Sequence, residues 1–74
     1  MAEITYIKSF SKNIPQPEKL KRLIEGDSGT WTAWNIEVVR ISDNLIEYKG
    51  EVELPAHIRK DIILFAMGYI QALS

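Results

Sequence analysis

The sequence predicts a small α+β domain of order strand, helix, strand, strand, helix, with a three-stranded antiparallel sheet packed on a long C-terminal helix. Three observations predict it. β-Favouring residues open the chain in "EITYIKSF"; two alternating apolar runs flank "SDN" in the middle; and from Pro55 onward apolar residues recur at three- and four-residue spacing. Seventy-four residues without a linker make one domain, 1–74. A core of that size supplies only about 3–5 kcal/mol before partners or staples help.

In "EITYIKSF", Ile4, Tyr6 and Phe10 are in phase and Lys8 interrupts them, which points to an edge strand. "SKNIPQPEKLKRLIEG" then places Pro17 at a first helical position and Gly26 just past the end. Leu20, Leu23 and Ile24 stand between them at helical spacing. This short helix needs tertiary support. "GDSGT" is a loop.

"GTWTAWNIEVV" reads as a strand, in which Trp34, Ile36 and Val38 share a face. Trp34 is then the core tryptophan. Trp31, three positions earlier, lies on the outer face or in the loop leading into the strand. Ile46, Tyr48, Val52 and Leu54 share a face of the next strand, with Gly50 in phase. A three-residue loop Ser42-Asp43-Asn44, with Asn44 in the left-handed position, sets Ile41 opposite Leu45. It also sets Val38 opposite Tyr48, Ile36 opposite Gly50, Trp34 opposite Val52 and Glu37 opposite Lys49. A two-residue Asp43-Asn44 loop would put Val38 against Lys49 and is rejected, because a one-residue slip inverts every side chain of one strand.

The last helix carries its core face on Ile58, Ile62, Phe65, Tyr69, Ala72 and Leu73. Ile63, Met67 and Ile70 form a second apolar stripe, with Leu64 on the remaining side. Either the first helix covers that stripe, or self-association or a larger partner does, with Gly68 permitting close backbone approach.

Composition narrows the chemistry. Without cysteine, and with one histidine, the chain lacks disulfides and the usual zinc ligands, so neither metal nor cofactor is expected. No charged-then-apolar leader opens it and no apolar run is long enough to cross a bilayer, so a soluble, cytoplasmic protein is expected. The net charge of -1 gives no basic field for nucleic acid. The charge is uneven: residues 1–26 hold five Lys/Arg against three Glu, residues 27–74 four against seven acidic groups.

"GDSG" matches the tetrapeptide around the nucleophile of chymotrypsin-like proteases, but that fold needs far more chain and a full triad. His57, with Glu53 before it and Asp61 four residues on, lacks a nucleophile or oxyanion donor set and reads as an exposed helix pair. Glu51 and Glu53 have no third polar group across a cleft and read as solvated charges. The hairpin followed by "LPAHIRK" resembles the end of a double-stranded RNA-binding domain. Such a domain grips phosphates with a lysine cluster at that helix start, whereas here Glu51, Glu53 and Asp61 surround His57, Arg59 and Lys60, and a strand precedes the first helix.

These readings point to a non-enzymatic protein-interaction module, an accessory subunit or an inhibitor that occludes a protein partner. Chains this small, acidic and free of catalytic groups occur among inhibitors carried by phages and other mobile elements. Two interfaces are expected: partner binding through Trp31, Val39, Ile41 and Leu45 with Glu47 and Glu51 as acidic rim, and homodimer formation through Ile63, Met67 and Ile70. The competing class is a nucleic-acid-binding module, using Lys8, Lys12, Lys19, Lys21 and Arg22 with the start of the last helix.

Overall fold

A computed structural model describes residues 4–27 and 31–73. Strand β1 (Thr5–Ser9) leads to helix α1 (Pro17–Arg22), and a π-helical turn, Leu23–Asp27, extends α1. A 3-10 turn, Thr32–Trp34, precedes the hairpin β2 (Glu37–Ser42) and β3 (Leu45–Lys49), and helix α2 (Ala56–Leu73) closes the chain. The sheet is antiparallel in the order β1-β3-β2, so β1 is an edge strand and the hairpin's second strand is central. Ile46 and Tyr48 of β3 are buried, whereas Leu45, Glu47 and Lys49 are half-buried on the other face, the alternation of a sheet covered on one side. Tyr6 of β1 lies against Tyr48 with ring centroids 5.5 Å apart.

The hairpin turn corrects the expected three-residue loop. Ser42 pairs with Leu45, so Asp43 and Asn44 alone make the turn, and Asp43 rather than Asn44 takes positive φ (51°). Ile41 accordingly pairs with Ile46 and Arg40 with Glu47. Yet Val38 still pairs with Tyr48 and Glu37 with Lys49, because a β-bulge leaves Val39 without a cross-strand partner. The bulge takes up the one-residue slip that would have inverted β2. Both Val38 and Ile41 therefore reach the core side of the sheet.

β2 starts only at Glu37, not near Gly29 as expected, and the loop residues Ser28–Thr30 lie outside the described part. The Trp34 amide donates to the Trp31 carbonyl (3.0 Å) and closes the 3-10 turn; Asn35 (φ 49°) then redirects the chain. Residues three apart share a side of such a turn. Both tryptophans can thus turn inward, and their expected roles are exchanged: Trp31 is buried in the core, edge-on to Phe65 at 5.4 Å, while Trp34 is half-buried at its margin. Neither Trp34 nor Ile36 lies in the strand ladder; instead the Glu51 amide bonds the Trp34 carbonyl at 3.2 Å.

Helix α1 begins at Pro17, whose fixed φ and missing N–H suit a first helical position. Gln16 before it is left-handed (φ 45°), and its carbonyl accepts the Lys19 and Leu20 amides and the Tyr69 hydroxyl (2.7 Å). Burial pushes the Tyr69 hydroxyl's pKa up. Gly26 does not stop the helix as expected; it lies inside the π-helical turn, which carries Ile24 into the core beside Leu20.

In α2, Ile62, Ala66, Tyr69 and Ile70 are buried and Ile58 and Phe65 partly so. The core stripe is therefore rotated from the one expected: Ala66 and Ile70 replace Ala72 and Leu73, which are exposed. Helix α1 is tied in at the same end, because Tyr69 bonds Gln16.

Candidate interaction surfaces

The expected partner face does not assemble. Trp31, only 4% exposed, is core rather than an exposed anchor. Ile41 packs against the core opposite Ile46. Val39 is exposed in the bulge. Leu45 and Glu47 stand on the outer face of β3, where Glu47 is held by Arg40 at 2.8 Å. Glu51 lies beyond the hairpin, exposed, and accepts a hydrogen bond from the Asn35 side chain.

The expected self-association stripe divides in the same way. Ile70 is buried, Ile63 half-buried, and Met67 exposed. Leu64 (53% exposed) and Met67 (51%) together leave an apolar pair on the solvent side of α2, beside Gly68, whose surroundings are open.

A groove of about 340 Å³ runs between the end of β1 and the C-terminal half of α2. Phe10, Met67 and Ile70 give it an apolar lining, and Lys8 and Lys12 stand at its sides. The segment is held in place by the hairpin tip: the Phe10 amide donates to the Asn44 carbonyl (2.7 Å), the Asn44 side-chain amide to the Phe10 carbonyl (2.6 Å), and the Ile14 amide to the Asp43 carbonyl (2.8 Å). Ile7 (59% exposed) and Ile4 (43%) extend the apolar surface along β1. Ile7 falls on the opposite face to Tyr6, outside the phase of Ile4, Tyr6 and Phe10. Its presence among polar outer-face neighbours was the available signal.

Charged groups are partly committed elsewhere. Lys21 bonds Glu25 at 2.8 Å, which raises the lysine's pKa, and Arg59 lies over the Tyr6 ring, 5.1 Å from its centroid. The Tyr6 hydroxyl accepts the Leu54 amide at 3.0 Å. The Tyr48 hydroxyl is raised in pKa by burial, with the Arg59 charge acting in the opposite sense. His57, Asp61 and Glu53 are all exposed, and no ion pair joins them. Among the described residues, no group of three or more His, Cys, Asp or Glu side chains is placed to hold a metal ion, and no helix is long and apolar enough to cross a membrane.

Comparison with protein-family models, curated proteins and solved structures finds no match for this chain.

Proposed function

We propose that the chain is a non-enzymatic protein-interaction module, an accessory subunit or an inhibitor that covers part of a partner protein, docking through the solvent side of α2. The observation that carries this reading is the exposed pair Leu64 and Met67 on a helix whose opposite side is already packed. Two such side chains beside Gly68 give a partner an apolar, sterically open contact, and the flexible Met67 adapts to its shape. The nucleic-acid alternative has less support: Lys21 is paired with Glu25 and Arg59 is stacked on Tyr6, which leaves a weaker basic surface than the sequence suggests.

The test compares the chain with a Leu64→Glu/Met67→Glu variant of unchanged circular dichroism, both immobilised and exposed to host extract. A defined protein retained by the first and lost by the second is expected. Capture that ignores the substitution overturns α2 as the docking face. Retention on heparin that weakens steeply with salt, with no protein captured, overturns the module reading in favour of nucleic acid.

A further inference from the structure

We propose that two copies of the chain join edge to edge through β1, antiparallel about a two-fold axis at Ile7, so that the two sheets become one of six strands. This goes beyond the docking role given to α2: the two surfaces meet at Met67, while Leu64 stands outside the groove beside β1.

The two edges of the sheet differ. On β2, the Val38 amide faces away from β3 and is taken by the Glu25 carboxylate at 2.9 Å, with the π-helical turn lying alongside. On β1 the alternation of an antiparallel ladder sets which backbone groups are free. The Phe10 amide bonds the Asn44 carbonyl, so Lys8 and Tyr6, two and four residues earlier, also turn to β3, and the N–H and C=O groups of Thr5, Ile7 and Ser9 turn outward. Among the described residues no strand pairs with this edge, and such an edge is a template for another strand.

The side chains select a second copy and a register. With Ile7 on the two-fold axis, Ile7 meets Ile7 of the second copy, Thr5 meets Ser9, Tyr6 meets Lys8, and Ile4 meets Phe10. Centring the pair on Lys8 would oppose two ammonium groups, and centring it on Tyr6 would set Lys8 against Ile4. Of these three registers, the Ile7 one alone matches both exposed isoleucines to apolar partners.

That register also supplies an occupant for the groove. Opposed residues of an antiparallel pair point to the same face, so Ile4 of the second copy lies beside Phe10 on the α2 side, where Phe10, Met67 and Ile70 line the groove of about 340 Å³. By symmetry each copy fills the other's groove, an isologous contact in which the exposed Ile4, Ile7 and Met67 are covered together.

The chain has no cysteine, so single cysteines report contacts cleanly. Light scattering across a wide concentration range is expected to give twice the chain mass of 8.5 kDa for the parent, and the single mass for Ile7→Lys with unchanged circular dichroism. Ile7→Cys is expected to form a disulfide-linked pair under mild oxidation, whereas Leu64→Cys does not. A parent that stays monomeric throughout overturns the proposal. So does a dimer that survives Ile7→Lys, or one that cross-links through Leu64→Cys and not through Ile7→Cys, which would assign self-association to α2. The cross-link decides the matter even if Ile7→Lys fails to fold.

Discussion

The Glu25 carboxylate accepts the Val38 amide at 2.9 Å and the Lys21 ammonium at 2.8 Å, and so joins the π-helical turn to the edge of β2. Burial opposes the charge on Glu25, but the bonds from Lys21 and Val38 outweigh it and hold the carboxyl below its usual value. A carboxyl depressed in the folded state stabilises the fold above its unfolded pKa, and that stabilisation is lost as pH falls through the folded value. Stability should therefore decline on acidification through and below the ordinary glutamate range of about pH 4. Glu25→Ala should cost about 1 kcal/mol near neutrality, through the unpaired Val38 amide, and should flatten the acid side of the profile. Urea midpoints of both proteins from neutral to acid pH check this; parallel profiles would count against the role of Glu25.

Gly50 follows the central strand where the chain turns toward Leu54. A Cβ there would lie 2.5 Å from Cδ2 and 3.2 Å from Cγ of Leu54, and 3.2 Å from the Val52 carbonyl oxygen. Leu54 is fully buried and cannot swing out without opening the core. Gly50→Ala should cost about 1–3 kcal/mol, as overpacking does, whereas Gly68→Ala, with open space around it, should be neutral or slightly stabilising. Thermal melts of the two variants side by side measure the contrast.

Trp31 and Trp34 should differ in both stability and spectroscopy. Trp31 fills the core against Phe65, so Trp31→Ala should cost about 3–5 kcal/mol. Trp34, at the core margin, should cost clearly less. In a Trp34→Phe background, the remaining indole should emit at short wavelength and resist iodide quenching. Free access of iodide to it would mean that Trp31 is the exposed anchor that an uninterrupted strand implies.

Legibility in the sequence followed local regularity. The edge position of β1 is legible in the Lys8 that interrupts its apolar phase, Pro17 and Pro55 mark helix starts, and the structure has all three. The pairings of Val38 with Tyr48 and Glu37 with Lys49 hold as well, although the three-residue loop they rest on does not. The turn was hidden by a local departure from that regularity: the apolar pair Val38-Val39 gives no sign of which residue is extra, so a two-residue turn plus a bulge looks like a three-residue turn without one. A period of two exchanges the two tryptophans because the chain between Trp31 and Ile36 is a 3-10 turn followed by a left-handed Asn35. Of the expected contact residues, Trp31 and Ile70 are buried in the core and Ile41 packs against it. Hydrophobicity alone does not say which side of the molecule an apolar residue takes. The groove beside Phe10 was not legible at all, since it depends on how the end of β1 meets the last turns of α2.

Amide hydrogen exchange along β1, followed as a function of protein concentration, tests both the sheet register and the joining of two copies. Tyr6, Lys8 and Phe10, which bond β3, should be protected at every concentration. Ile7 and Ser9 should exchange freely in dilute solution and become protected as the second copy binds. Ile7 and Ser9 exchanging freely at all concentrations would contradict the edge-to-edge pair. Protection of Ile7 and Ser9 with exchange at Tyr6 and Lys8 would contradict the register itself.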